Sequence, residues 1–191
     1  MIGGQPAFVS YISPTQINAQ VPSGVAPGAR PVVVTTPRGT ASALNVNVEA
    51  ARPGVLAPAS FKIGATQYAV ALFPDNTTFV LPPGAIGGVP SRRALPGDTI
   101  TLYGVSFGAV TPAVPAGQIA ARRPALAAPL TITIGGAPAS VAYNGLAPGF
   151  VGLFQFNAVV PTIAANDAVP LVFTLGGVAV PQSLALAVGT R

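Results

Sequence analysis

Carboxylates are the first residues in this chain that could do chemistry, and there are only four of them: Glu49, Asp75, Asp98 and Asp167. Two carboxylates about 5 to 9 Å apart could hydrolyse a glycosidic bond. The three aspartates lie in turn sequences, however, where Asp stabilises a turn by accepting hydrogen bonds from its own backbone. We therefore predict turn roles for the aspartates and no catalytic site.

The sequence offers little for a metal ion or a cofactor. A calcium site built from Glu49 with Asp75 or Asp98 would need six to eight oxygen ligands, and no acid cluster along the chain supplies them. The chain has no cysteine and no histidine, so thiolates and imidazoles are excluded. Ser60 and Lys62 have the spacing of a Ser-Lys nucleophile pair on one strand face, but an exposed strand explains them equally well. We predict no metal and no cofactor.

Two arginine doublets are the local concentrations of charge, Arg92-Arg93 and Arg122-Arg123. Guanidinium groups bind carboxylates and phosphates through paired hydrogen bonds, so converging doublets could bind an acidic polysaccharide or a phosphate-bearing surface. Solvated loop charges that keep the protein soluble are the plainer explanation.

Aromatic side chains could add a sugar-stacking platform, built from Tyr11, Tyr143, Phe150 and Phe154. Aromatic residues in alternating strands are usually core residues. Phe150 follows Pro148-Gly149 in a predicted loop and is the one expected to be exposed. The candidate ligand-binding residues are therefore Arg92, Arg93, Arg122, Arg123 and Phe150.

Composition favours a folded β protein with little charge. Half of the 191 residues are hydrophobic, which is enough to build a core, and 7 % are charged against a usual value of about 25 %. The net charge of +5 comes from a shortage of acids, so it does not indicate nucleic-acid binding. No apolar run reaches the roughly 18 residues of a transmembrane helix, and we expect no membrane insertion.

Alternating polar and apolar residues predict strands almost everywhere and helices almost nowhere. In the strand predicted from Gln16 to Val21, the residues Ile17, Ala19 and Val21 share one face, and in its repeat partner Phe154, Phe156 and Ala158 do the same. Further predicted strands include Leu44 to Val48, Leu130 to Ile134 and Leu184 to Val188. Turn sequences such as Pro74-Asp75-Asn76, Asn144-Gly145 and Asn166-Asp167 separate the predicted strands. Short strands at this spacing, without helical crossovers, predict an all-β fold of immunoglobulin-like antiparallel β-sandwich modules in tandem.

An internal repeat organises the chain. Residues 2–11 return at 134–143, both beginning Ile-Gly-Gly, and residues 16–22 return at 155–161 with the shared pattern Gln-x-Asn-Ala-x-Val-Pro. We predict three segments: a partial unit at 1–52, formed by the later half of a repeat; a connecting β-hairpin segment at 53–95; and a complete unit at 96–191. The first unit opens in the middle of a repeat, so a targeting signal is expected upstream.

The partial unit should expose an apolar face. Four strands of one sandwich cannot bury their own inner surface, so another element must cover it. We expect the segment 53–95 to pack on the first unit and cover this face, with a dimer interface as the competing solution.

The complete unit begins Pro96-Gly97-Asp98, continues with Ile100 to Gly104 and Phe107-Gly108, and then has Thr131 to Gly136. This pattern resembles the IPT/TIG group of immunoglobulin-like domains. Residues 11–22 and 145–157 resemble more closely an uncharacterised bacterial family of tandem C-terminal modules in large secreted or surface proteins. The resemblance implies a fold and an extracellular or cell-surface location, and it brings no catalytic residues.

We therefore expect a non-catalytic extracellular module of a larger bacterial surface or secreted protein, serving as a spacer, adhesion or recognition segment. The alternative is a carbohydrate-binding accessory module of a secreted polysaccharide-active enzyme. The expected partners are neighbouring modules of the same polypeptide and a cell-surface glycan or protein. Nucleic acid is not expected, because one lysine and sparse arginines offer few phosphate contacts.

Overall fold

The computed structural model describes residues 1–190 and shows an all-β protein. The helical element of this part of the chain is one 3₁₀ turn, Ala59–Phe61. None of the helical structure in residues 1–190 has the length and hydropathy needed to span a membrane. Arg191, the last residue of the third predicted segment, lies outside the described residues. The predicted all-β class, with antiparallel sheets packed as a sandwich, is confirmed.

The first 50 residues form short antiparallel pairs with little burial. Their six strands are β1 (Phe8–Ile12), β2 (Ile17–Gln20), β3 (Gly28–Val32), β4 (Thr35–Thr36), β5 (Gly39–Thr40) and β6 (Leu44–Val48). β1 pairs with β2, β3 with β6 and β4 with β5. Within this part of the chain, Ile2 is the one buried hydrophobic residue. These strands therefore have no core of their own.

The remaining strands belong to the segment 53–95 and to the C-terminal unit. The segment contains β7 (Gly54–Val55), β8 (Lys62–Ile63), β9 (Thr66–Gln67), β10 (Ala71–Leu72), β11 (Phe79–Val80) and β12 (Ser91–Arg92). The C-terminal unit contains β13 (Thr99–Val105), β14 (Val110–Thr111), β15 (Ala125–Leu126), β16 (Leu130–Ile134), β17 (Ala137–Pro138), β18 (Ser140–Leu146), β19 (Leu153–Val159), β20 (Asn166–Leu175), β21 (Val178–Ala179) and β22 (Leu184–Val188).

The C-terminal unit is a two-sheet sandwich. One sheet has the order β12-β11-β10-β13-β19-β18-β15-β14, with β7 also on β13, and the other has the order β17-β16-β20-β21, with β22 also on β20. Phe154 and Phe156 of the first sheet and Phe173 of the second surround Phe107, with ring centroids 4.6 to 5.9 Å from that of Phe107. This aromatic cluster lies in the buried core that joins the two sheets.

The segment 53–95 packs on the C-terminal unit, whereas we expected it to cover the first unit. β7 and β10 both pair with β13 on the side opposite β19, and parallel bridges join Tyr68 to Ala185 and Ala94 to Val188. Several of its apolar side chains enter the same buried core: Val55, Ala69, Ala71, Phe73 and Val80. The physical reason is that the edge of β13 opposite β19 would otherwise be unpaired, and the short strands of the segment satisfy its backbone groups there.

The two hairpins that carry the sequence repeat have the same register. In β1–β2, Tyr11 lies opposite Asn18, and in β18–β19, Tyr143 lies opposite Asn157. Each hairpin has a register shift immediately before its tyrosine. The local sequence therefore specifies the same pairing in both parts of the chain.

The strands that follow these hairpins also correspond. Arg30 lies opposite Val46 in β3–β6, as Val169 lies opposite Leu186 in β20–β22. The small pair β4–β5 has the register of β20 with β21. The two parts differ at β13, which pairs with β19, whereas in residues 1–190 the strand β2 pairs with β1 alone.

The predicted turn at Asn144-Gly145 is wrong, since both residues lie inside β18. Gly145 lies opposite Ala125 of β15. A Cβ atom at Gly145 would be 2.0 Å from the carbonyl oxygen of Pro124. The glycine is thus required by the close approach of two strands and not by a turn.

Candidate functional site

Asp75 closes the turn between β10 and β11. Its Oδ1 accepts hydrogen bonds from the backbone N–H groups of Thr77 and Thr78, both at 3.0 Å, and its Oδ2 accepts one from the Thr78 hydroxyl at 2.7 Å. These bonds, the Thr78 hydroxyl foremost, favour the charged form and lower the pKa of Asp75 to about 2. The predicted turn role of Asp75 is confirmed.

Asp98 and Arg92 form an ion pair at the start of β13. Asp98 Oδ2 accepts hydrogen bonds from Arg92 Nη1 at 2.8 Å and from the backbone N–H of Leu95 at 3.0 Å. The guanidinium carbon of Arg92 lies 3.5 Å from the centroid of the Phe73 ring, in a cation–π contact. Arg92 is therefore held on two sides by its own neighbours in the fold.

Arg93 and Asp167 form a two-bonded ion pair between the segment 53–95 and β20. Arg93 donates from Nε to Oδ1 and from Nη2 to Oδ2, the second at 2.8 Å. The bonds from Arg93 lower the pKa of Asp167. The turn predicted at Asn166-Asp167 is wrong, because both residues belong to β20 and Asn166 lies opposite Val188.

Glu49 is the fourth carboxylate, and it is also engaged. It accepts hydrogen bonds from Arg52 Nη1 at 2.8 Å and from Asn47 Nδ2 at 3.2 Å. The four carboxylates belong to four different places in the fold, each with its own donors. Within residues 1–190, no three acidic side chains gather where a metal ion could bind.

The structure does not bring the two arginine doublets together. Arg92 belongs to β12, and Arg122-Arg123 immediately precedes Pro124 and β15. Five strands lie between β12 and β15 in the first sheet, a separation of roughly 29 Å along the sheet. Arg123 lies over Tyr143, with its guanidinium carbon 5.5 Å from the ring centroid. The sheet order therefore places the two doublets near strands that are far apart in the sheet.

The four aromatic candidates for sugar stacking lie in different environments and do not all belong to the surface. Phe154 belongs to the core, as its alternation in β19 predicts. The hydroxyl of Tyr143 donates to the carbonyl oxygen of Leu146 at 2.6 Å, and burial raises its pKa. Phe150 is 56 % exposed in the loop between β18 and β19, as expected. Tyr11 is exposed on β1.

The Ser60 and Lys62 pair does not have the geometry expected from its spacing. Ser60 lies in the 3₁₀ turn, and Lys62 is the first residue of β8. Both residues are exposed. The expectation of one shared strand face is wrong, because the chain turns between the two residues.

The first 50 residues expose apolar side chains whose counterparts in the sequence repeat form one buried core, so the repeat assigns them to one face. Five of its large hydrophobic side chains are 36 to 69 % exposed: Ile17, Val21, Val34, Leu44 and Val46. Their repeat counterparts in the C-terminal unit are at most 8 % exposed and belong to its core: Phe156, Val160, Phe173, Leu184 and Leu186. We call the five exposed residues the open face. An apolar surface of this kind marks an interaction site more often than a single exposed hydrophobic residue does.

The β1–β2 hairpin touches the C-terminal unit at one end, a contact that no local sequence pattern predicts. Ser23 Oγ accepts a hydrogen bond from the N–H of Ala116 at 2.7 Å, and Gln20 Oε1 accepts one from the N–H of Gly117 at 2.8 Å. A cleft of about 430 Å³ lies beside these bonds, walled by Phe8 and Pro115 among others. None of its lining residues is ionisable. The cleft can therefore offer shape and backbone hydrogen bonds, and no acid or base.

Two surfaces remain as candidates for a function. One is the open face. The other comprises two exposed loops of the C-terminal unit, the β18–β19 loop with Phe150 and the stretch before β15 with Arg122-Arg123, which the hydrogen bond from the Leu146 N–H to the Pro124 carbonyl oxygen brings near each other. No family model, curated protein or solved structure matches the chain.

Proposed function

We propose that the chain is a non-catalytic extracellular part of a larger bacterial surface or secreted protein, built from immunoglobulin-like modules of the IPT/TIG kind. It serves as a spacer, adhesion or recognition segment. The observation that carries the proposal is the matching strand register of the first 50 residues and the C-terminal unit. Duplicated β-modules arranged in tandem would have this property, and neighbouring modules of the same polypeptide would be the first partners.

The state of the carboxylates supports a non-catalytic role. General acid–base catalysis works best with a group whose pKa lies near the operating pH. The pKa of Asp75 is about 2 and that of Asp167 is lowered by Arg93. Both groups are therefore ionised at neutral pH and committed to structural hydrogen bonds.

A carbohydrate-binding accessory module is the second candidate. The exposed ring of Phe150 favours it, because aromatic faces are used to stack on sugars. Arg122 and Arg123, on a neighbouring loop sequence, could bind the carboxylates of an acidic polysaccharide.

A thermal-shift screen separates the two candidates. The purified chain would be heated with soluble plant, fungal and bacterial polysaccharides, and release of reducing sugar would be followed in parallel. A ligand at 100 times its dissociation constant adds about 2.7 kcal/mol of stability, which is a visible shift in melting temperature.

No shift and no sugar release are the results expected for a spacer or protein-adhesion segment. A shift with one glycan class, reduced by Phe150→Ala and unchanged by the control Val178→Ala at a residue 72 % exposed on β21, would favour the carbohydrate-binding module. Release of reducing sugar by an activity that co-purifies with the chain would overturn both candidates, because both are non-catalytic.

A further inference from the structure

We propose that the open face and the free edge of β2 form an acceptor site for one extended polypeptide strand with the sequence pattern of β13. The incoming strand would pair with β2 in the antiparallel direction and lay its apolar side chains on the open face. This inference rests on strand pairing and burial, and it holds whether or not the chain is a spacer.

In the described part of the chain, β2 has a free edge where its counterpart in the C-terminal unit is paired. In the C-terminal unit, β19 has β18 on one side and β13 on the other, with Leu102 opposite Phe156. In residues 1–190, its counterpart β2 has β1 on one side and no strand on the other. A free strand edge presents unpaired N–H and C=O groups, and an added strand satisfies them.

Across residues 1–190, the open face lacks the cover that the corresponding side chains have in the C-terminal unit. In the C-terminal unit, Ile100 and Leu102 of β13 are fully buried in the core. The Phe107 ring beyond β13 packs on Phe156 and Phe173, with centroids 4.6 and 5.9 Å away. On the open face, Ile17 occupies the position of Phe156 and Val34 the position of Phe173, and both side chains are exposed. It therefore lacks the apolar residues that β13 and Phe107 contribute.

The chemistry of the occupant follows from the strand that fills this place in the C-terminal unit. Its pattern is apolar-x-apolar-x-Gly-x-x-Phe, from Ile100 to Phe107. The glycine has a steric reason, since a Cβ atom at Gly104 would lie 2.5 Å from the ring of Phe107. A partner strand should therefore have a small residue at this position and a large aromatic residue three positions later.

Other occupants satisfy only part of the site. A second copy packed through its own open face would cover the side chains but leave the edge of β2 unpaired, and its own β13 is already buried between β19 and the segment 53–95. A saccharide would supply no ladder of backbone groups. An extended strand satisfies the edge and the face together.

Peptide binding tests the proposal directly. A fluorescently labelled peptide with the sequence of residues 95–111 would be titrated with the full chain, and its anisotropy measured. The control peptide would have aspartate in place of Ile100 and Leu102. We expect saturable binding of one peptide per chain, and binding of the control weaker by roughly tenfold or more, which corresponds to about 1.4 kcal/mol.

Variants of the chain locate the site. Ile17→Asp should weaken binding of the peptide by roughly tenfold or more, because it places a charge on the open face. Val178→Asp is the matched control, since Val178 is 72 % exposed on β21, outside the open face. Both changes lie on the surface and should leave the melting temperature unchanged. Hydrogen exchange of the β2 amides should slow when the peptide with the sequence of residues 95–111 binds.

Three results would overturn the proposal. The first is a chain that is monomeric by light scattering and does not bind the peptide. The second is equal binding of the two peptides, or equal loss with Ile17→Asp and Val178→Asp. The third is a dimer that Ile17→Asp dissociates, because a second copy would then be the occupant of the open face.

Discussion

Ile17 and Phe156 occupy the same position in two hairpins of matching register, yet Ile17 is 44 % exposed and Phe156 is fully buried. The difference comes from their surroundings and not from their own strands. β13 and Phe107 cover Phe156, while within residues 1–190 no strand pairs with the free edge of β2 beside Ile17. The same local sequence pattern thus makes core in one unit and open surface in the other.

Truncation of these two residues should have very different costs. Phe156→Ala removes a ring from the aromatic cluster and should lower the free energy of unfolding by about 3–5 kcal/mol. Ile17→Ala removes a surface side chain and should change it by less than about 0.5 kcal/mol. Chemical denaturation followed by circular dichroism measures both. Similar losses would show that Ile17 is covered in solution.

Gly145→Ala should destabilise the C-terminal unit. The added methyl group would meet the carbonyl oxygen of Pro124 at 2.0 Å, so β15 or β18 must shift. We expect a loss of about 1–3 kcal/mol in the free energy of unfolding, as for other overpacked sites. Gly87→Ala is the control, because a Cβ atom there has no neighbour within 4 Å. Equal stability of the two variants would contradict the close approach of these strands.

Thr78→Val should raise the pKa of Asp75 from about 2 towards its usual value near 3.8. The variant removes the hydroxyl donor, which is the largest cause of the shift, and keeps both backbone donors. Thr77→Val is the matched control and should move this pKa less, since the hydroxyl of Thr77 contributes least. Carboxyl carbon chemical shifts, followed from pH 6 to pH 1.5, measure the pKa. An unchanged value in Thr78→Val would refute the assignment.

Asp75 also makes the fold sensitive to acid. Its pKa is about 2 in the folded chain against an ordinary value of 3.8, so the unfolded chain binds more protons between these pH values. The stabilising effect is complete above about pH 4 and is lost as the pH falls through about 2. We expect Asp75→Asn to be less stable than the parent at pH 7 and to lose less stability between pH 5 and pH 2. Melting temperatures are measured at pH 5 and pH 2. If they fall by the same amount in the parent chain and in Asp75→Asn, the link between the pKa of Asp75 and stability is contradicted.

Tyr68→Phe should change stability at both neutral and alkaline pH. The Tyr68 hydroxyl donates to the carbonyl oxygen of Asp167 at 2.8 Å, and its loss should cost about 1 kcal/mol at pH 7. Burial, then the charge of Asp167, raises the pKa of Tyr68 above 10.0. Its stabilising effect is therefore complete below about pH 10 and is lost as the pH rises through the folded pKa.

Melting curves at pH 7 and pH 11 test this prediction. The parent chain should lose more stability than Tyr68→Phe between the two pH values. Tyr11→Phe is the control, because Tyr11 is 50 % exposed and its hydroxyl is already in water. A parent and a Tyr68→Phe variant with the same alkaline loss would contradict the raised pKa.

Strands whose pattern is strictly local could be predicted from the sequence. The predicted strands Leu44–Val48, Leu130–Ile134 and Leu184–Val188 have these same bounds in the structure. The predicted parity of β19 is confirmed, since Phe154, Phe156 and Ala158 are buried. Alternation identifies such elements because successive side chains of a strand point to opposite faces.

The turns were less predictable, because turn residues also serve other purposes. The Asp75 turn is confirmed, and its hydrogen bonds are all within four residues. Asn144-Gly145 has an equally strong turn sequence, but Gly145 is required by the carbonyl oxygen of Pro124, a contact between strands that no local pattern reveals. Asn166-Asp167 is also a turn-like sequence that forms no turn, because Asp167 pairs with Arg93, which is distant in the sequence.

The sequence by itself determined the all-β class, the register shared by the two hairpins, and which residues of β2 and β19 share a face. These properties depend on side-chain alternation and on turn residues within short stretches of chain. Only the tertiary structure decided which of the two faces is buried, where the segment 53–95 packs, and that the arginine doublets lie near opposite ends of the strand order of the first sheet. These outcomes depend on which strand edges and apolar surfaces meet, and such contacts join residues far apart in the chain.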